Sequence, residues 1–368
     1  MKILVTGSDG FVGKNLCLAI SERNELQCLP INRSSSEQEL RDAISEADVI
    51  VHLAGVNRPL DPKEFSEVNA DFTQRLCELI VQSSRKLPLV ITSSIQAASN
   101  NPYGLSKKAA EDAVLAYGLE TGSPVRVYRL PNVFGKWCKP NYNSVVATFC
   151  HNIANDLPIS ISDRDVVLSL VHVDDLVAEL LFFAECFGSE VGFFDINPVY
   201  QATVGEIADQ VYSFSHVREN LITEPVGAGF TRALYSTYIS YLPSDKFSYS
   251  VKKYSDPRGT FVEMLKTKDS GQFSYFSAYP GITRGGHYHH SKTEKFLVIR
   301  GKALFKFRHV LTDETYSIVT CGEVPIIVET IPGWAHDITN TGDEEMIVML
   351  WANEIFDRNK PDTIAAGL

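Results

Sequence analysis

The strongest constraint on the fold of this chain is its opening run, MKILVTGSDGFVGKNL, where an apolar strand breaks into glycines and resumes as a helix. The glycines stand at 7, 10 and 13. Glycine at that spacing lets the backbone turn tightly after a strand and approach a bulky anion closely. The helix that follows presents the positive end of its dipole and its first N–H groups, which together hold a pyrophosphate. Gly7, Gly10 and Gly13, with Phe11 and Val12 opening the helix, therefore predict a dinucleotide site. Further apolar, β-branched runs follow at 48–55, 88–94 and 125–131, separated by amphipathic stretches such as 62–86 and 103–121. Strands apolar on both faces and alternating with helices predict a doubly wound parallel sheet.

The second strand ends in CLPINRSS. An acidic residue there would take the ribose hydroxyls of NAD, but Asn32, Arg33 and Ser34 occupy the position. A guanidinium suits a 2′-phosphate, so the expected cofactor is NADPH. Downstream, YGLSK places Tyr103 and Lys107 four residues apart, on one face of a helix. An ammonium near a phenol lowers its pKa, which would let Tyr103 exchange a proton near neutral pH. A strand-end TSS just upstream offers Ser94 or Ser93 to orient a carbonyl.

After about residue 244 the texture changes. Short alternating strands (GTFVEML, FSYFSAY, KFLVIRG, KALFKFRHV, ETYSIVT, EEMIVMLW) are punctuated by Gly, Pro and Asp turns, which predicts an all-β sandwich or small barrel. The joint is expected at YLPSDKFSY, 241–249, dividing the chain into 1–243 and 246–368. Within the β region, GITRGGHYHHSKTEKFLVIRG carries His287, His289 and Glu294, and a later segment carries His336. Residues two apart on a strand face one side, so His287 and His289 can address one ion, with Glu294 brought round by a turn. Three imidazoles and a carboxylate suit a divalent metal, zinc foremost, with iron, manganese and nickel open. His290 faces the opposite side unless a bulge exchanges it with a neighbour.

Composition bounds the partners. A net charge of −11 over 368 residues argues against nucleic acid along a broad surface. No apolar run approaches the roughly 20 residues of a membrane span, and the start of the chain does not read as a secretory leader. Seven scattered cysteines without a CxxC pair fit reduced thiols in a cytoplasmic protein.

Taken together, the glycine triplet, HLAG, VN at 68–69, TSS, YGLSK, RLPNVFG and VHVDDL resemble the extended short-chain dehydrogenase/reductases that act on nucleotide sugars. The resemblance covers about 1–243 and implies a Rossmann domain. It makes Tyr103 the catalytic acid, Lys107 its partner and a cofactor-ribose ligand, and Ser94 the hydroxyl beside them. It further implies that Leu53, Ala54 and Gly55 line the cofactor and that Asn132 contacts the sugar nucleotide. Only nine positions separate Ser94 from Tyr103, fewer than usual in that family. The two histidine segments resemble the motifs of cupin barrels, although Ile331 stands where the second motif has a proline. SDPRGTFVE and TRGGHYH also resemble 3,5-epimerases of 4-keto-6-deoxy nucleotide sugars. That likeness makes His287 a catalytic base and Arg284 a diphosphate ligand, so His287 has two candidate roles, base or metal ligand.

The combination resembles the CapF-type bifunctional enzymes of capsule and O-antigen synthesis. The resemblance implies C3 epimerisation of a UDP-2-acetamido-2,6-dideoxy-4-hexulose by the cupin, then C4 reduction with NADPH to UDP-2-acetamido-2,6-dideoxy-L-talose. That product lies on the route to UDP-N-acetyl-L-fucosamine. The alternative is a single-function 4-keto-sugar reductase whose metal cupin is structural and dimerising. A homodimer is expected in either case.

Overall fold

The computed structural model describes all of the chain except 257, 258, 263, 268–270 and 355–358, and the side chains of 253–256, 259–262, 266 and 272. Pro257, Arg258 and Glu263 of SDPRGTFVE thus lie outside the described residues. The chain forms two compact units.

The first unit comprises Met1–Phe134, Tyr142–Ser144 and Leu168–Ala202. Its sheet holds β1 (Lys2–Thr6), β2 (Gln27–Ile31), β3 (Val49–His52), β4 (Leu89–Ser94), β5 (Val125–Leu130) and β6 (Val191–Phe194). All pairs are parallel and the order is β2-β1-β3-β4-β5-β6. Ile3, Val5, Val49 and Val51 pack on α1 (Phe11–Ser21) and the helix Val173–Glu185. Leu4, Ile50, Leu89 and Val127 pack on the opposite layer, with α2 (Glu37–Glu46), α3 (Phe72–Gln82) and α4 (Pro102–Thr121). Burial on both faces is why these strands are written as unbroken apolar runs. The chain leaves β1 to one side for β2 and comes back to the other for β3. The carboxyl ends of β1 and β3 therefore flank the crevice where such sheets take their ligands.

The second unit comprises Gly135–Asn141, Val145–Val167 and Thr203–Leu368. The strands of its two large sheets are β7 (Ser248–Ser250), β8 (Gln272–Ala278), β9 (Thr283–Tyr288), β10 (Glu294–Arg300), β11 (Lys302–His309), β12 (Thr315–Cys321), β13 (Ile326–Glu329), β14 (Trp334–Asn340), β15 (Met346–Ala352) and β16 (Ile364–Ala365). They make two five-stranded antiparallel sheets, β7-β13-β10-β15-β8 and β12-β11-β14-β9-β16. The sheets face each other: Phe296 of β10 meets Phe305 of β11, with ring centroids 5.7 Å apart.

Alternation puts Glu294, Phe296 and Val298 inside and turns Lys295 to the outer face of its sheet. Lys295 is nonetheless 1% exposed. It pairs with Glu329, its cross-strand neighbour, and Glu329 also pairs with Arg218 of the helix Val204–Asn220. Arg218 of this helix, and Tyr235 of the helix Gly229–Ser240, stand beside the buried pair on that outer face, which ties both helices to the sheets although the texture of the sequence changes only at 241–249. Burial alone would lower the Lys295 pKa, but the Glu329 carboxylate beside it holds it above the usual range.

Candidate functional site

In the first unit the glycine loop is shaped by direct backbone contact. Gly7 has φ +67°, and a Cβ there would lie 2.8 Å from the Ala54 nitrogen and 2.9 Å from the Leu53 carbonyl carbon. A Cβ on Gly13 would fall 2.2 Å from the Gly7 carbonyl oxygen. The loop and the HLAG turn are thus brought together, with Leu53, Ala54 and Gly55 against the first glycine. Thr6 fixes that turn: its Oγ1 accepts from the Leu53 and Ala54 amides at 3.2 and 3.3 Å and meets His52 Nδ1 at 2.6 Å. Helix α1 starts at Phe11 behind Gly10, with no side chain capping it, so the amides of Phe11, Val12 and Gly13 are not taken by a capping group.

Past the end of β2, Asn32 Oδ1 accepts from the Ser34 amide and hydroxyl. Arg33 projects outward and pairs with Glu64 at 3.0 Å.

Ser94, Tyr103 and Lys107 converge on the same edge. Ser94 ends β4, accepts from the Gln96 amide at 3.1 Å and hydrogen bonds the Tyr103 phenol. Ser93 points the other way, its hydroxyl 2.5 Å from buried Glu111, so only one serine of the pair reaches the tyrosine. The short interval between Ser94 and Tyr103 is closed by a 3-10 turn, Ile95–Ala98, after which Asn101 caps α4 by accepting from the Gly104 amide. A Cβ on Gly104 would lie 2.3 Å from the Ser99 carbonyl, so helix and turn are in direct contact.

Lys107 is buried and donates to the Thr92 carbonyl at 3.0 Å. Burial pushes its pKa down to about 8, opposed by Glu111 one turn later on α4. The Tyr103 phenol is not lowered as the sequence suggested. Burial raises it, and the Ser94 hydrogen bond opposes that rise.

Beneath these groups lies Asn69, on the π-helical turn Phe65–Asp71. Its Oδ1 accepts from the Val56 amide at 2.8 Å and its Nδ2 donates to Ser106 Oγ at 3.0 Å. A Cβ on Gly55 would come within 3.0 Å of Asn69 Oδ1 and 3.3 Å of Lys107 Nζ. Asn132 lies two residues past the end of β5, whose Leu130 pairs with Ser94, and its amide donates to the Ser169 carbonyl at 3.2 Å.

In the second unit the ligand atoms of His287, His289, Glu294 and His336 all lie within 4.8 Å of one another. They come from both sheets: His287 on β9 and His336 on β14 are cross-strand partners, and Glu294 opens β10 opposite them. His289 Nε2 lies 3.1 Å from Glu294 Oε2, and His336 Nε2 lies 3.5 Å from the same oxygen. Burial would raise Glu294, but His289 and His336 overcome it and hold the carboxylate well below its usual range. Burial pushes His287 down to about 4, helped by His336 and His289, and burial lowers His336 too. The lowered imidazoles of His287 and His336 beside an ionised carboxylate match the donor set a divalent cation requires. Among the described residues this is the one cluster of that kind.

His290 faces away from the cluster and packs on the Tyr288 ring at 5.6 Å. The register shifts between Gly285 and His287, so Arg284, paired with Ile338, shares the inner face of His287 and His336. Its guanidinium lies 5.0 Å over the Phe276 ring. Sequence reading named neither Asn69 nor Glu111 for a role, nor the residues that hold the histidine turn; VN at 68–69 was the one trace of Asn69.

Residues 3–192 match the model of the NAD dependent epimerase/dehydratase family. The chain belongs to that family. Residues 254–364 match a second model, the polysaccharide biosynthesis C-terminal domain. The chain is 56% identical over 368 residues to the UDP-2-acetamido-2,6-beta-L-arabino-hexul-4-ose reductase of Pseudomonas aeruginosa, covering 100% of this chain and 99% of the relative. Among solved structures it is similar to the capsular polysaccharide assembling protein CapF of Staphylococcus aureus, with 44% identity, TM-score 0.69 and 100% of both chains covered. The UDP-glucuronic acid 4-epimerase of Bacillus cereus, in complex with NAD, shares the fold over 58% of this chain and 84% of its own, at 20% identity and TM-score 0.52. The family places a nicotinamide dinucleotide in the first unit, and no helix among the described residues is long and apolar enough to cross a membrane.

Proposed function

We propose that this chain is a bifunctional nucleotide-sugar enzyme that epimerises a UDP-2-acetamido-2,6-dideoxy-4-hexulose at C3 and then reduces C4 with NADPH. The product is UDP-2-acetamido-2,6-dideoxy-L-talose, on the route to UDP-N-acetyl-L-fucosamine for capsule. The observation that carries this reading is the convergence of Ser94, Tyr103 and Lys107 in a chain similar, end to end, to a 4-ulose reductase. The division 1–243 and 246–368 separates the two chemistries.

Chemical order follows from acidity. The C3 proton is labile only while C4 is a ketone, so proton removal precedes reduction. NADPH, when bound, supplies the hydride to C4. Tyr103 keeps its proton at neutral pH because burial raises the phenol, and it hands that proton to the new alkoxide. Ser94 steadies the same oxygen, and Lys107 stays charged below about pH 8 to hold the cofactor ribose. Gly7, Gly10 and Gly13, with the amides of Phe11 and Val12, take the pyrophosphate. Leu53, Ala54 and Gly55 line the cofactor beside the glycine loop, and Asn132 contacts the sugar nucleotide. Asn32, Arg33 and Ser34 receive the 2′-phosphate, with Arg33 exchanging Glu64 for it.

In the second unit, a divalent cation held by His287, His289, Glu294 and His336, zinc foremost, would supply Lewis acidity toward an enolate oxygen. Arg284, on the inner face with His287, receives the diphosphate. His287 is the least buried of the four, and its neutral imidazole serves either as ligand or as the base that removes the C3 proton. Burial of the other three favours one other reading, a reductase whose cation only staples the cupin. We further propose a cytoplasmic homodimer that binds neither nucleic acid nor membrane. Exposed Phe273, Tyr275 and Ile299 support self-association, which sedimentation would test.

The decisive experiment supplies the keto-sugar in D2O, with NADPH, to the intact protein before and after chelation. Deuterium at C3 together with NADPH oxidation is expected. Reduction with no deuterium in any sample would leave only the reductase.

A further inference from the structure

We propose that Asp362 is a positioning residue for the His287–His289–Glu294–His336 cluster, fixing at once the tautomer of His289 and the backbone of the turn that follows it. The inference rests on the cation reading given above.

Two separate parts of Asp362 act. Its backbone carbonyl meets His289 Nδ1. A carbonyl only accepts, so Nδ1 carries the proton and Nε2 faces the cluster with its lone pair. That Nε2 is the atom 3.1 Å from Glu294 Oε2. Two acceptors at that separation need a proton or a metal ion between them; with the imidazole neutral and Nδ1 carrying its proton, the metal ion takes that place.

The side chain holds the turn. Asp362 Oδ1 accepts from the His290 amide at 2.8 Å, and Oδ2 accepts from the Ser291 and Lys292 amides, both at 2.7 Å. Three successive N–H groups converging on one carboxylate form a charge-assisted nest. The next two amides are also taken by side chains, Thr293 by Asn353 Oδ1 at 2.9 Å and Glu294 by Thr330 Oγ1 at 2.8 Å. No amide from His290 to Glu294 is thus left to ladder pairing, and the path between two ligands is set by three distant side chains.

Asp362 is itself anchored beside the third ligand. Two residues on, Ile364 and Ala365 pair with Tyr288 and His287, and the Ala366 amide donates to the Gly286 carbonyl at 2.9 Å. One short segment therefore ties the His287 strand to the His289 turn. Lys292, held by the nest, places its ammonium 3.7 Å from Glu294 Oε1. Loosening the nest frees that cation to compete for the carboxylate.

The test uses the full-length protein, stripped of metal and titrated with Zn2+ and Co2+ against a chromophoric chelator. Co2+ absorption in the visible reports ligand number and geometry. Asp362→Ala is expected to weaken affinity by about 10- to 100-fold, the usual effect of removing a group that orients a metal-binding histidine, and to alter the Co2+ spectrum. Asp362→Asn, which keeps one acceptor oxygen, is expected to lose several-fold with unchanged circular dichroism, and it carries the test if the alanine variant does not fold. Wild-type affinity and spectrum in a folded Asp362→Asn and Asp362→Ala would overturn the inference alone. A wild-type protein that takes up neither ion would overturn the cation reading and this inference with it.

Discussion

The two candidate sites are assembled in opposite ways. In the first unit the reacting groups sit within fourteen positions of one another along the chain, Ser94 to Lys107, on a strand end and the first two turns of a helix. In the second unit the ligands run from His287 to His336, come from two facing sheets, and depend on an aspartate at 362. A site written on one helix tolerates distant change, because its geometry is set by local spacing. One written across two sheets inherits every disturbance of the fold that holds them. The contrast can be broken experimentally.

The largest effect should come from crossing the sites. Tyr103→Phe is expected to lower NADPH oxidation by about 10²- to 10⁴-fold, the usual worth of a placed general acid, while C3 still exchanges with solvent deuterium. His287→Asn should abolish C3 exchange and, because reduction draws on the epimer, slow NADPH oxidation as well. NMR of the sugar and absorbance of the nicotinamide read both at once. If Tyr103→Phe also stopped exchange, the two sites would not be independent.

Next is stability, where each unit holds a shared buried carboxylate. Glu329 lies between Lys295 and Arg218 on the covered face of a sheet. Glu111 lies between Ser93 and Arg129, whose side chain is 39% exposed. Glu329→Gln leaves the buried Lys295 and the half-buried Arg218 without a counter-charge and should cost about 3–5 kcal/mol in denaturant unfolding. Glu111→Gln should cost less, about 1–3 kcal/mol, since Arg129 can turn to water. The sign with pH is fixed by Glu329. Burial works against its ionised form, but Lys295 and Arg218 hold its pKa below the usual value. Its stabilisation is therefore complete above the unfolded pKa of about 4.3 and is lost as pH falls through the lowered folded value. Equal losses in the two variants would remove the contrast between the units.

How far each site could be read from sequence follows the same division. Gly7, Gly13 and the Tyr103–Lys107 pair are legible because their meaning lies in spacing along a single strand–turn–helix or helix. His287, His289 and Glu294 are legible for the same local reason, and the opposite facing of His290 follows from strand alternation. Other features were not. Arg284 joins the inner face only because the register slips before His287, which no period of two announces. Lys295 has the position of a solvent-facing residue and is buried among Glu329, Tyr235 and Tyr249, which come from distant parts of the chain. Asp362 acts across about seventy residues, and an aspartate near proline carries no local sign of a nest. The lowered phenol expected for Tyr103 failed because spacing states which groups are neighbours but not how much water they lose.

The smallest effect is also the most local, and it sharpens the contrast from the other side. Lys107 is pushed down to about 8 by burial, with Glu111 opposing. The groups facing it are the Thr92 carbonyl, Asn69 across Gly55, and His52, itself pushed down to about 3 by burial and by Lys107. Between about pH 8 and the unfolded value of about 10.4 the unfolded chain binds the extra proton, so this lysine makes folding more favourable as pH rises through that window. Function runs the other way, because a neutral lysine no longer holds the ribose or supports the tyrosine. The basic limb of kcat/KM for reduction should therefore fall near pH 8, and Glu111→Gln should move it to lower pH by removing the opposing charge. Asp362→Ala should leave that limb where it is. A limb that moved with Asp362 and not with Glu111 would mean that the first site, too, is governed from far along the chain.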